Sequence, residues 1–205
     1  MATFMGLVLG ILAAAPTGSA NRPISAAPAI LAVYEEDWGR PSSGGPGLVA
    51  AVWGDGYAVW SENPLVGGPP FYAARVAGGR VNSLLARLAG DGLFSDERLS
   101  QIHFGPDARF TTLLVRSGGK ELRMQSWHEW AEHDGRAIAT GSGIEPLQGR
   151  PRLSVLRAQP ADYLYYRAVW GELRSAIQGL LPARGHPVTG EAVMVQRAIS
   201  WKTRQ

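Results

Sequence analysis

The sequence predicts an α+β fold: an antiparallel sheet of hairpins with two amphipathic helices packed on one face. Three observations carry this. A glycine-tipped hairpin pattern occurs twice, from Leu48 to Ser61 around Gly54-Asp55-Gly56 and from Arg109 to Ser126 around Ser117-Gly118-Gly119. Each hairpin is followed by a segment whose apolar residues recur at helical spacing. The chain has 205 residues, 45% of them apolar and seven of them Trp, which suits one well-filled core rather than two.

Ala29 to Glu35 reads as the first strand, apolar and bounded by Pro28 and by Glu36-Asp37. Arg40 to Gly47 is rich in Pro, Ser and Gly and reads as a loop. In the first hairpin Val49, Ala51 and Trp53 alternate with Ala50 and Val52, so both faces are apolar, as in a central strand covered on both sides. Asp55 between two glycines suits a tight turn with positive φ. Asn63 to Pro70 is a second loop, and Phe71 to Val76 a further strand.

The first helix runs from about Gly79 to Ala89, with Val81, Leu84, Leu85 and Leu88 on one stripe and Gly90 as its left-handed stop. In the second hairpin Thr111, Leu113 and Val115 oppose Phe110, Thr112 and Leu114. Leu122 and Met124 oppose Glu121, Arg123 and Gln125, a pattern of a half-solvated pair. Arg136 to Thr140 and Leu153 to Arg157 read as short strands. The closing helix spans Pro160 to Leu181, with Pro160 at N1 and a buried stripe of Tyr166, Trp170, Leu173, Ile177 and Leu180. The order of elements fits a ferredoxin-like and a cystatin-like arrangement equally. Residues 29–181 form the expected domain, and 182–205 a tail in which Ala192 to Val195 can add an edge strand.

Met5 to Ala15 is an apolar run of signal-peptide length, followed by small residues up to Ala20. Residues 1–20 therefore read as an export signal cleaved after Ala20, 21–28 as a linker, and the product as periplasmic or secreted. No Lys or Arg precedes the run. The alternative is a cytoplasmic chain whose true N-terminus lies elsewhere. No transmembrane helix is expected in the mature chain.

The absence of cysteine excludes disulfides, thiolate metal sites and cysteine nucleophiles. The net charge of +3 sits entirely in residues 182–205, and the rest is balanced. A balanced body argues against a nucleic-acid groove, which needs clustered positive charge.

The densest polar cluster is Trp127-His128-Glu129-Trp130-Ala131-Glu132-His133-Asp134. A zincin helix needs His at i and i+4. His128 and His133 are five apart, which on a helix separates them by about 140°. A short solvated turn whose two Trp dock on the core is the plainer reading. The chemical alternative is a metal-dependent hydrolase built on His103, His128, His133 and Asp134. Asp107, after Phe104-Gly105-Pro106, reads as a turn residue. Gly141-Ser142-Gly143 lacks the third glycine of a dinucleotide loop, and Ser126 stands outside any Gly-x-Ser-x-Gly elbow. No catalytic set and no cofactor are expected. The aromatics offer a binding surface instead. Trp60 with Tyr163 can make a stacking platform for sugar or peptide rings. Tyr165 lies off the buried stripe, and Trp127 and Trp130 complete the candidate ligand-binding residues.

Val52-Trp53-Gly54-Asp55-Gly56, Leu84-Leu85-Ala86-Arg87-Leu88 and Leu114-Val115-Arg116-Ser117-Gly118-Gly119-Lys120 occur in an order similar to that of small, uncharacterised bacterial extracytoplasmic domains. The resemblance covers about residues 29–181. It implies an extracytoplasmic α+β domain and carries over no site residue. Together these readings predict a non-enzymatic exported domain that binds a protein or an envelope polymer.

Overall fold

The computed structural model describes residues 28–37, 47–100, 102–103 and 109–188, with Asp37, Ile102 and His103 described by backbone alone. The expected export signal, Asp107, Ala192 to Val195 and most of the linker, the Arg40 to Gly47 loop and the C-terminal tail lie outside these residues.

Four strands follow one another: β1 (Leu31–Asp37), β2 (Gly47–Val52), β3 (Tyr57–Ser61) and β4 (Phe71–Arg75). Helix α1 (Gly78–Gly90) comes next, then two 3-10 turns at Leu93–Ser95 and Glu97–Ser100 and a two-residue strand β5 (Ile102–His103). The second hairpin is β6 (Arg109–Ser117) and β7 (Lys120–Ser126). One turn of helix, α2 (His128–Ala131), leads to the small hairpin β8 (Ala137–Thr140) and β9 (Gly143–Pro146). Helices α3 (Arg152–Arg157) and α4 (Ala161–Leu180) and strand β10 (His186–Val188) close the described chain.

Among the described residues the main sheet has the order β10-β4-β3-β2-β1-β6-β7-β5, and β8-β9 forms a separate pair. All neighbours in the main sheet are antiparallel except β5 with β7. The fold is thus α+β, as expected. Four strands run in sequence before α1, which is not the strand–helix–strand order of a ferredoxin-like unit.

One face of the sheet meets the helices. Leu31 and Val33 of β1, Leu113 and Val115 of β6, and Leu122 and Met124 of β7 pack with Val81, Leu84 and Leu88 of α1 and Tyr166, Trp170, Leu173 and Ile177 of α4. Alternation in the strands and the stepped stripes of the helices produce this interior directly. Tyr166 ties α4 to the sheet, its hydroxyl donating to the Gln125 carbonyl at 2.8 Å. A second apolar cluster lies on the opposite face: Ala32, Tyr34, Leu48, Ala51, Trp53, Val59, Phe71, Ala73 and Leu114, all buried.

Several local expectations are revised. A β-bulge shifts the β1–β2 register, pairing Val33 with Ala50 and Tyr34 with Leu48. The extra residue, Val49, joins the helix-side cluster while Ala51 and Trp53 stay on the other face. The second hairpin is half-solvated along β7 alone, where Leu122 and Met124 are buried, Glu121 is exposed and Arg123 and Gln125 are half-buried. On β6, Phe110, Thr112 and Leu114 are buried, Leu114 within the second apolar cluster and Phe110 against Trp127 and Ala139. At the β7 end, Glu36 accepts from Thr112 at 2.6 Å and Gln125 at 3.3 Å, with Arg123 at 3.5 Å. The left-handed stop after α1 is Gly92, with φ 72°, not Gly90. Pro160 is the N-cap of α4 rather than N1. Leu153 to Arg157 is helical, inside α3. A strand would place Leu153 and Val155 on one face, yet Leu153 is exposed and Val155 buried. Residues two apart on a helix diverge by about 200°, which accounts for the split. The sheet also extends past Leu181, since β10 pairs with β4 from His186↔Ala73 to Val188↔Phe71.

Candidate functional site

A concavity with an aromatic floor lies where the β3-β4-β10 end of the sheet meets the C-terminal end of α4. Register sets its floor. Trp60 of β3 is directly opposite Tyr72 of β4, on the helix side of the sheet. Their ring centroids are 6.4 Å apart with planes tilted by 31°. Both rings are half-buried. Glu62 and Pro64 come from the loop after β3, Gln178 from α4, and Ala183, Arg184 and Gly185 from the connection to β10. The cleft measures about 460 Å³, inside the usual small-ligand range of about 300–1,000 Å³.

The walls are held by short-range chemistry. Ser61 Oγ donates to the Gly68 carbonyl at 2.6 Å and accepts from the Asn63 amide at 2.9 Å. Asn63 Oδ1 accepts from the amides of Leu65 and Val66, an Asx-type turn. The loop is also latched to α4, where Arg174 donates to the Pro64 carbonyl at 2.8 Å. Gly185 is required by close approach. A Cβ there would lie 2.6 Å from the Trp60 ring and 2.8 Å from the Ala73 carbonyl oxygen.

The rim is polar and unengaged. Among the described residues the side chains of Glu62, Gln178 and Arg184 form no hydrogen bond or ion pair, although an acid and a base line the same cleft. Elsewhere on the surface opposite charges meet, as in Arg87–Glu172, Arg98–Asp96 and Arg116–Glu121.

The other aromatic candidates lie apart from Trp60. Tyr165 is near the start of α4, thirteen residues before Gln178, or about 20 Å along the helix axis. Its hydroxyl donates to Asp96 at 2.8 Å, and the Arg98 guanidinium covers its ring at 4.0 Å. That hydrogen bond to Asp96, with burial second, raises the Tyr165 pKa. Tyr163 is no platform partner for Trp60: it is buried and donates to the Ala139 carbonyl at 2.7 Å. Trp127 is only 8% exposed and packs with Phe110 and Ala139. Trp130 is stacked on His133 at 5.1 Å, with the Arg109 guanidinium 4.9 Å from its ring centre. Tyr72, Glu62, Gln178 and Arg184 escaped the sequence reading. Strand register places Tyr72 beside Trp60, Glu62 follows directly on β3, and Gln178 and Arg184 arrive from distant segments.

The metal candidates have other partners. His128 is buried, its Nδ1 2.6 Å from Ser126 Oγ and its ring edge-on to Trp170 at 5.0 Å. His133 Nδ1 bonds the Trp130 carbonyl at 2.7 Å. Asp134 accepts from the Arg136 amide at 3.0 Å, an Asx turn. The side chain of His103 is outside the description. Among the described residues no three His, Asp or Glu side chains gather at metal-binding geometry. The Ser126–His128 contact is local: the same hydroxyl accepts from the His128 amide at the entry to α2.

A buried carboxylate, Glu132, and a half-buried one, Glu129, organise the start and the middle of α4. Glu132 accepts two bonds from Arg167, at 2.9 and 3.0 Å, one from Arg152, and one from the Ala139 amide at 2.9 Å. Glu129 takes the Trp170 indole N–H at 2.8 Å and Arg174 at 3.2 Å. Nearby, Glu35 sits on the helix side of β1, 5% exposed. Thr111 donates to its Oε1 at 2.5 Å, and Oε2 has no partner. Burial pushes the Glu35 carboxyl up to about 7.

No family model, no curated protein and no solved structure matches this chain.

Proposed function

We propose that this protein is an exported, non-enzymatic binding domain that holds an envelope component, polymer or protein, in the Trp60–Tyr72 cleft. One observation carries the reading. The cleft combines an aromatic floor with charged and amide groups that are bound to nothing else among the described residues. Elsewhere Glu132 and Glu129 are engaged in holding elements together. Groups left over around a concave apolar floor are the usual makings of a ligand site. The resemblance to extracytoplasmic domains and the apolar run from Met5 to Ala15 support export. The balanced charge of residues 1–181 speaks against a nucleic-acid partner. Among the described residues no helix is long and apolar enough to cross a membrane.

The test is co-sedimentation of the purified chain with isolated cell envelopes. Wild type is expected to be retained, and Trp60→Ala to lose retention with unchanged melting. Equal retention of the two proteins removes the cleft from the account. Fractionation with N-terminal sequencing checks export, the expected first residue outside the cytoplasm being Asn21.

A further inference from the structure

The rim chemistry narrows the ligand class, an inference that rests on the cleft being the binding site. The floor is a shallow, angled pair of rings, Trp60 and Tyr72, both half-buried. Such a floor takes a ligand with a flat apolar face. The rim supplies three kinds of hydrogen-bonding group. The Glu62 carboxylate only accepts, the Arg184 guanidinium only donates, and the Gln178 amide does both. The ligand therefore needs edge groups that donate and accept. The charges of Glu62 and Arg184 cancel, so the cleft has no net field to draw a polyanion or a polycation.

We infer that the cleft takes a neutral β-linked pyranose unit of a polysaccharide. Such a ring has a flat C–H face for stacking and an equatorial belt of hydroxyls, each both donor and acceptor. A proline-rich peptide is the nearest competitor, because it also docks on aromatic grooves. Proline has no N–H, so a run of prolines would leave Glu62 facing carbonyl oxygens with no donor to accept from. The stiffness of the site fits a ring ligand too. Gly185 is packed against Trp60, and the Ser61–Gly68 loop is pinned by its own hydrogen bonds. A site already in its bound shape loses little entropy on binding.

Calorimetric titration of the full chain tests this with four probes: cellohexaose, chitohexaose, decaproline and heparin. Binding of cellohexaose or chitohexaose is expected, at least about tenfold weaker in Trp60→Ala. Glu62→Gln serves as the second variant, because this exposed side chain has no partner to lose and the fold stays intact. It is expected to weaken the same binding about threefold or more, with unchanged melting. Decaproline bound in a Trp60-dependent way, with neither sugar bound, overturns the pyranose assignment and leaves the cleft as the site. Binding of heparin alone overturns it as well. If none of the probes binds, the assignment also falls. Envelope co-sedimentation then separates the two ideas: retention that still depends on Trp60 keeps the cleft, and its loss removes both.

Discussion

The two ends of α4 treat charge in opposite ways. Toward its start, Arg167 meets the buried carboxylate of Glu132, which Arg152 and the Ala139 amide also reach. Midway, Arg174 and Trp170 converge on Glu129. Toward its end, Gln178 shares a cleft with Glu62 and Arg184, and none of the three is engaged. The first arrangement joins α2, β8, α3 and α4. Its groups are consumed by the fold. The second joins nothing, and what the fold does not use is open to a ligand. The contrast turns on partners rather than composition, since Arg and Glu occur at both ends.

The sharpest way to break this contrast is to cut the paired end. Glu132→Ala would strand Arg167, whose side chain is 12% exposed, beside an unpaired Ala139 amide. Removing one partner of a buried pair typically costs about 3–5 kcal/mol. Denaturant unfolding of Glu132→Ala is expected to show a loss of that order, with the Trp60–Tyr72 cleft unaffected in whatever protein remains folded. A loss below about 1 kcal/mol would mean that the network is not what fastens these elements.

Glu35 gives the next effect, and its sign is definite. Its folded carboxyl titrates near 7 against an ordinary 4.5, raised by burial. The folded state therefore holds the proton more tightly. The stabilisation from this group is complete below about pH 4.5 and is lost as pH rises through 7. A shift of this size corresponds to about 3 kcal/mol. Thr111 on β6, Glu129 on α2, Arg109 on β6 and Arg174 on α4 are the groups that act on it. In Glu35→Gln the decline in stability between pH 5 and 8 is expected to flatten by roughly that amount. Unfolding curves of equal slope against pH for the two proteins would show that the carboxyl is already ionised in the fold.

Gly185→Ala sharpens the other side of the comparison. The new Cβ would press on the Trp60 ring and on the Ala73 carbonyl, and the second of these is backbone. Overpacking of this kind costs about 1–3 kcal/mol. The expected outcome is that loss in chemical denaturation, together with weaker ligand retention as Trp60 is displaced. Unchanged retention would separate the Trp60 ring position from binding.

Much of this was legible in the sequence, for reasons that can be stated residue by residue. The stripe Tyr166, Trp170, Leu173, Ile177, Leu180 is buried throughout because helical spacing alone puts it on one face. The two hairpins follow from glycine chemistry at Gly56, Gly118 and Gly119, each at positive φ. What failed was non-local. Val49 changed sides because a bulge is a property of two strands, not one. Leu153 to Arg157 alternates well enough for a strand, and only its packing on β8 decided for a helix. Trp60 could be picked out as an aromatic beside a turn. Tyr72 depended on register, and Gln178 and Arg184 on how α4 and β10 fold back over the sheet. Glu35 was within reach: alternation from Leu31 through Val33 puts it on the buried face.

The smallest predicted effect tests the comparison most directly. Arg152 and Arg184 are the same residue type at opposite ends of α4. Arg152, with its side chain 48% exposed, bonds the buried Glu132. Arg184 is exposed and bonds nothing among the described residues. Arg152→Ala is therefore expected to cost about 1 kcal/mol, since Arg167 still neutralises Glu132 and solvent screens the rest. Arg184→Ala should leave stability within about 0.5 kcal/mol of wild type, as unengaged surface residues do. Its effect belongs in binding alone. Should Arg184→Ala destabilise the fold as much as Arg152→Ala, the cleft's charges would be structural after all, and the distinction between the two ends of α4 would dissolve.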